Sequence, residues 1–164
     1  MPRCWTWDST TAATAEYKYQ LHRCFAPIHQ IDNEFMTIQL DHTIVPSRNK
    51  FDAAKLLADL LGVAWAPTSL GPFAPVYVND GLTLDFIDTD EDFPVHHFCF
   101  RVSDPDFDTI LGRITAAGIP YRSTVRGPVD GRIDPQFGGR GIYWNQPDGH
   151  QWEMLTVSYA RPAA

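Results

Sequence analysis

The stretch VHHFCFRV, residues 95–102, alternates side chains in the manner of a β-strand and carries two adjacent histidines. Because successive strand residues point to opposite faces of a sheet, His96 and His97 cannot share one face. The face of His96 continues with phenylalanine and suits burial beneath a helix. The face of His97 also carries Cys99 and Arg101 and suits a cavity that solvent reaches. We therefore predict that His97 is the cavity histidine and that His96 packs against the core.

This strand has a counterpart in the first half of the chain, within LDHTIVP at residues 40–46. Four features recur in the same order in both halves: a strand histidine, a glycine that ends a helix, an Asp-Gly turn and a strand carboxylate. The matched pairs are His42 and His97, Gly62 and Gly118, Asp80-Gly81 and Asp148-Gly149, and Asp85 and Glu153. The carboxylates lie further apart than the histidines, and one insertion, RGPVDGRIDPQFGGRG, accounts for the difference. We infer a βαβββ unit written twice.

Local signals place the helices and strands of these units. NKFDAAKLLADLLG and SDPDFDTILGRITAAG predict two helices from their apolar spacing, and Ser103 or Asp104 is the expected cap of the second. Strands are predicted at 38–45 and 95–102, on both sides of the turn in APVYVNDGLTLDFID, and in PYRSTV, GIYWNQ and QWEMLTVS. The turn before QWEMLTVS contains His150, which we expect to be exposed because turns run over the surface.

Residues 1–35 lack these patterns. We expect them to be a poorly ordered N-terminal extension, with a short ordered arm that packs on a partner subunit as the alternative. The functional domain is predicted to open at Met36 and to run over 36–160, with modules at 36–92 and 93–160.

Composition excludes several classes of function. The net charge is −7 and no basic cluster is present, so we expect no nucleic-acid partner. No apolar run approaches the roughly 20 residues of a membrane span, and the first residues do not read as a secretory signal. Three cysteines without CxxC spacing argue against a disulfide framework or a structural zinc site, so we expect a cytoplasmic protein.

A metal site is the chemistry that the matched positions indicate. His42, His97 and Glu153 each fall in the middle of a predicted strand, and an unpartnered carboxylate there is costly to bury. A divalent cation removes that cost, and two imidazoles with one carboxylate suit Fe(II), Mn(II), Zn(II) or Ni(II). The alternative is three unrelated residues, with Glu153 paired to Arg101.

The repeated unit resembles the vicinal oxygen chelate superfamily, which includes glyoxalase I, extradiol dioxygenases, fosfomycin-resistance transferases and bleomycin-binding proteins. The motifs LDHTIVP, HHFCFRVSD and GGRGIYWNQPDGHQWEMLT carry the resemblance. Within it, GPFAPVYVNDGLTLDF followed by GGRGIYWNQPDGH looks most like the ChaP-like dioxygenase subgroup. The resemblance implies an α+β fold in which two tandem βαβββ modules form a curved, cup-like mixed sheet with helices on the outer face. It also implies a homodimer.

The resemblance assigns roles to individual residues. Its metal ligands map onto His42, His97 and Glu153, and the position of Asp85 is a fourth ligand in glyoxalase I. Asp85 is one methylene shorter than the usual glutamate, so direct ligation, an orienting contact and an ordinary strand aspartate stay open. Tyr143, beside the ligand strand, is a candidate proton donor or a packing residue. The candidates for holding an anionic substrate are Arg101, Arg132 and Arg140.

Three functions compete. The first is a dioxygenase, with Fe(II) as the expected metal, that acts on an aromatic or polyphenolic, polyketide-like small molecule. The second is a glyoxalase-type isomerase or thiol transferase, which coordination by Asp85 would favour. The third is a metal-free protein that binds a small molecule or antibiotic, and it has no need of the three ligands.

Overall fold

The computed structural model describes residues 38–67 and 71–160. The expected extension at 1–35 and the predicted domain start at Met36 lie outside these residues. Within them the chain forms two α-helices, eight strands and one short 3-10 helix. In chain order these are β1 (His42–Ser47), α1 (Lys50–Leu61), β2 (Ala64–Trp65), β3 (Ala74–Asn79), β4 (Leu82–Asp88), β5 (His97–Arg101), α2 (Asp104–Ala116), β6 (Tyr121–Arg122), the 3-10 helix (Gln136–Gly138), β7 (Gly141–Asn145) and β8 (Gln151–Leu155).

Each βαβββ unit forms its own four-stranded mixed sheet, in the order β1–β4–β3–β2 and β5–β8–β7–β6. The first and last strands of each unit are parallel neighbours, and the remaining pairs are antiparallel. The predicted tandem α+β fold is confirmed. Its strands, within 38–67 and 71–160, lie in two four-stranded mixed sheets, one for each module. Both β1 and β5 pair on one side only in this part of the chain, so each sheet has a free edge.

The strand bounds differ from the predicted ones at their ends. The first strand begins at His42 instead of residue 38, and PYRSTV keeps only Tyr121–Arg122 as a strand. The two-residue strand β2 was not predicted, because alternation cannot be detected over two residues.

Capping side chains fix where the helices begin and end. The Asn49 carboxamide oxygen accepts from the backbone N–H groups of Phe51 and Asp52, which otherwise have no partner in the first turn of α1. Gly62 ends α1 in the left-handed region at a φ of 74°. Ser103 caps α2 by accepting from the N–H of Asp106, as predicted. None of the helices in the described part of the chain is long and apolar enough to cross a bilayer.

One apolar core joins the two units. The leucines of α1 face Trp144 and Trp152 of the second sheet across a small cavity, so α1 lies between its own sheet and the tryptophan face of the other. The helices also contact each other, and Arg113 donates to the carbonyl of Leu60 at 3.4 Å. The sheet faces that carry His42 and His97 therefore point away from this core.

His150 corrects the expectation of an exposed turn histidine, because its side chain is fully buried. Its Nδ1 accepts from the backbone N–H of His96 at 3.0 Å, and its Nε2 donates to the carbonyl of Pro46 at 2.7 Å. The adjacent Asp148 accepts from the hydroxyl of Ser47 at 2.6 Å. The turn thus forms the seam between the two units. The buried His150 side chain supplies hydrogen-bond partners for two backbone groups that would otherwise lack them.

Candidate functional site

The candidate site is built around His97 and Glu153, which lie on neighbouring parallel strands. β5 and β8 are aligned so that His97 stands opposite Gln151 and Cys99 stands opposite Glu153. His97, Cys99 and Arg101 are exposed, whereas Phe98 and Phe100 are partly buried, as strand parity predicted. His96 lies on the packed side, where its ring contacts Phe98 and His150, and desolvation lowers its pKa.

The two side chains meet directly. His97 Nε2 is 3.0 Å from Glu153 Oε2, and the glutamate is 1% exposed although it is a carboxylate. A carboxylate removed from water needs compensating positive charge or several hydrogen bonds.

Gln151 decides which nitrogen of His97 carries a proton. Its carboxamide N–H donates to the carbonyl of Val125 at 2.7 Å, which leaves Oε1 to face His97 Nδ1 at 2.8 Å. That oxygen can only accept, so Nδ1 is the donor. In a neutral imidazole the lone pair on Nε2 then faces the lone pairs of Glu153. Either a second proton on the imidazole or a cation bound by both atoms relieves this conflict.

A divalent metal ion fits this arrangement. His97 Nε2 and Glu153 Oε2 are 3.0 Å apart, close enough for both to bind one ion at the usual ligand distances of about 2.0–2.2 Å. An imidazole that donates its other N–H to a fixed oxygen is also the usual setting of a metal-binding histidine. His97 and Glu153 are thus close enough to share an ion, and their role as metal ligands stays a prediction.

Two tyrosines and a cysteine surround the carboxylate. The hydroxyl of Tyr159 lies 3.2 Å from Oε1 and 3.0 Å from Oε2 of Glu153. Tyr143 stands opposite Glu153 on β7, where burial and then the nearby carboxylate raise the pKa of its hydroxyl. Desolvation and Glu153 together raise the pKa of the Cys99 thiol to about 12. These groups are thus neutral donors around one buried anion.

His42 lies apart from this pair. It sits at the start of β1 on the exposed face that also carries Leu40 and Ile44. Its Nδ1 is 2.8 Å from Asp41 Oδ2, a hydrogen bond that raises the pKa of His42, and Asp85 on the neighbouring strand raises it further. Within 38–67 and 71–160, no three His, Cys, Asp or Glu side chains come close enough to hold a metal. One chain therefore brings together two of the three predicted ligands.

The arginines occupy different settings. Arg101 is exposed on the His97 face and, with Cys99, lines a cavity of about 590 Å³ beside the free edge of β5. Arg132 is exposed in the inserted loop. Arg140 forms ion pairs with Asp104 and Asp108 of α2, and its guanidinium lies over the ring of Phe107. Its positive charge is therefore already paired within the fold. Substrate binding by these residues stays a prediction.

Three residues of the site did not figure among the candidates. Gln151 shares its face with Glu153, so strand parity carried a signal for it, although nothing in the sequence showed that it reaches His97. Asp41 is adjacent to His42 in the sequence, and nothing in the sequence showed that its carboxylate contacts the imidazole. Tyr159 follows the end of β8, where no periodic pattern predicts direction.

Comparisons with solved structures agree with the fold. Oxidase ChaP-H2 is 43% identical with a TM-score of 0.72, over 76% of this chain and 98% of that one. Oxidase ChaP-H1 is 39% identical with a TM-score of 0.71, over 76% of this chain and all of that one. The fosfomycin-resistance protein FosX from Mesorhizobium loti, at 20% identity and a TM-score of 0.56, shares the fold over 76% of this chain and 96% of its own. No protein-family model matches the chain, and no curated protein does.

Proposed function

This chain belongs to the vicinal oxygen chelate superfamily and is similar to the ChaP oxidases, and on that basis we propose that it is a metal-dependent oxygenase of an aromatic or polyphenolic small molecule. Membership supports an enzyme, and the name of the ChaP relatives supports oxidation. The observation that supports a metal is the His97–Glu153 pair. The lone pairs of His97 Nε2 and of Glu153 face each other, and a cation bound by both atoms would remove their repulsion.

We propose that a second copy of the chain supplies His42. The face of β1 that carries His42 also exposes Ile38, Leu40 and Ile44, and in the described residues β1 and β5 each keep one unpaired edge. Exposed apolar edge strands are prone to pair with another chain. If β1 of one copy lies along β5 of the other, two sheets join into one cup and three ligands meet, twice per symmetric dimer.

His97, Glu153 and His42 would hold the ion, for which Fe(II) is proposed and Mn(II), Ni(II) or Zn(II) are alternatives. When bound, the ion supplies Lewis acidity and open positions for the oxygen atoms of substrate and O₂. Gln151 keeps Nε2 of His97 free to coordinate. The Tyr143 hydroxyl, whose raised pKa keeps it protonated, can donate a hydrogen bond to a substrate oxygen. Arg101, on the same face, can neutralise a phenolate.

Anaerobic reconstitution tests this function. The protein is loaded with Fe(II), its metal content is measured, and O₂ uptake is recorded with a panel of catechols and larger polyphenols. We expect one ion per chain and substrate-dependent O₂ uptake, both lost in His97→Ala and Glu153→Gln.

The neighbouring histidine provides the matched control. His96→Ala removes an imidazole one residue away but from the packed face, so metal content should stay near that of the wild type. Absence of any divalent metal from the wild type, or full loading of His97→Ala, would contradict the proposal.

Asp85 supports a second candidate, a glyoxalase-type isomerase or thiol transferase. It lies close enough to His42 to raise the pKa of that imidazole, so it would accompany His42 into a shared site. Isomerisation or thioether formation without O₂ uptake, together with loss of metal in Asp85→Asn, would favour this second function.

A further inference from the structure

We propose that Tyr159 is a positioning residue that holds the Glu153 carboxylate in the orientation facing His97, and that the loop carrying Phe137 keeps Tyr159 in place. The role of the carboxylate as a metal ligand rests on the proposed function. The contacts that orient it are made by residues of the chain itself.

The hydroxyl of Tyr159 contacts both oxygens of Glu153, at 3.2 Å and 3.0 Å. A carboxylate that is 1% exposed has no water to hold its plane, so protein donors must do so. Tyr143 approaches the same carboxylate from β7, whereas Tyr159 approaches it from the segment after β8. With Tyr159 removed, the carboxylate loses one of the donors around it and can rotate away from His97.

The segment after β8 is tied to the inserted loop. The N–H of Thr156 donates to the carbonyl of Arg140 at 2.9 Å, and the N–H of Arg140 donates to the Thr156 hydroxyl at 3.0 Å. At Gly139 a Cβ would lie 2.8 Å from Cβ of Val157, so only glycine permits this approach. The chain therefore turns back over the sheet with Tyr159 above the carboxylate.

Phe137 completes this contact from the loop side. Its backbone φ is 60°, in a region that bulky side chains rarely adopt. The next residue, Gly138, also has a positive φ, of 74°, which costs a glycine little. Its ring is 63% exposed, and its centroid lies 5.1 Å from that of Tyr159. This exposed ring on unfavourable backbone packs against Tyr159, so we assign it the role of fixing that tyrosine.

The test compares Tyr159→Phe with Ser158→Ala. Both remove one hydroxyl from the same segment, but that of Ser158 accepts from the N–H of Ala160 and lies away from Glu153 in the hydrogen bonds of the described residues. Binding of Co²⁺ is measured by titration calorimetry and by the visible spectrum of the bound ion, and thermal unfolding is recorded in parallel. We expect Tyr159→Phe to weaken Co²⁺ binding about tenfold to a hundredfold and to alter the spectrum with little change in melting temperature. Ser158→Ala should match the wild type.

Phe137→Ala tests the loop independently of the hydroxyl. It should weaken Co²⁺ binding less than Tyr159→Phe does, while Phe51→Ala, which truncates an exposed ring on α1, should change nothing. If Tyr159→Phe fails to fold, Phe137→Ala decides: unchanged affinity overturns the proposal.

Failure of the inference can be told apart from failure of the proposed function. If the wild type binds Co²⁺ and Tyr159→Phe binds it equally well, the inference is wrong and the metal site stands. If the wild type binds no metal, the function fails, and crystal structures of the metal-free variants decide the inference. An unchanged His97–Glu153 distance in Tyr159→Phe overturns it. A longer distance, with Ser158→Ala unchanged, supports it.

Discussion

Replacing His150 with alanine should destabilise the protein by about 3–5 kcal/mol, because this one side chain joins the two units. Its loss leaves the N–H of His96 and the carbonyl of Pro46 without their partners. Each buried group left unpaired costs about 1–2 kcal/mol. The ring is fully buried and stacks on Phe93 at a centroid distance of 5.5 Å, so the void adds roughly another 1 kcal/mol.

Urea unfolding followed by tryptophan fluorescence measures this effect, since Trp144 and Trp152 lie in the shared core. His96→Ala is the control, because it keeps the backbone N–H that His150 binds and removes a ring that is only partly buried. We expect a smaller loss there, of about 1 kcal/mol. A change below about 1 kcal/mol for His150→Ala, with an unchanged urea dependence, would refute this account of the seam.

Three further changes have defined outcomes. Gln151→Leu removes the acceptor of His97 Nδ1 and should weaken divalent-metal binding at least about tenfold in equilibrium dialysis. Asp88 has a lowered pKa, first because it accepts the backbone N–H of Lys50 and then through the ammonium of that lysine. Its ionised form therefore stabilises the fold above the unfolded pKa of about 4, and this contribution is lost as pH falls through the lower folded value. Asp88→Asn should cost about 0.5 kcal/mol at pH 7, and urea curves should show the difference vanishing in acid. Arg140→Ala should lower the unfolding free energy by about 1 kcal/mol in the same assay, because it loses two carboxylates and the aromatic ring beneath it.

Periodicity and repeat matching predicted the parts of the structure that local chemistry determines. The two helices, the hairpin at Asn79-Asp80-Gly81 and the opposite faces of His96 and His97 follow from apolar spacing, turn residues and strand parity. Glu153 was predicted to fall in the middle of a strand, and the structure places it on β8, where it meets His97. These features depend on a few neighbouring residues each.

Long-range contacts could not be predicted in this way. The burial of His150 depends on Pro46, which is 104 residues away in sequence, and no local pattern encodes that contact. Tyr159 reaches Glu153 only because the inserted loop turns its segment back. The separation of His42 from its predicted partners follows from α1 lying between the two units, and helix periodicity does not specify which neighbour a helix meets.

Mixing two defective variants tests the central claim, a metal site shared by two copies, most directly. His42→Ala retains His97 and Glu153, whereas Glu153→Gln retains His42, so neither variant alone has a complete site. Random reassociation of equal amounts makes half of the dimers mixed, and each mixed dimer has one intact site of two. We predict that the mixture regains about one quarter of the wild-type tight metal sites and of the O₂ uptake. No recovery on mixing, or tight binding by His42→Ala alone, would contradict the account.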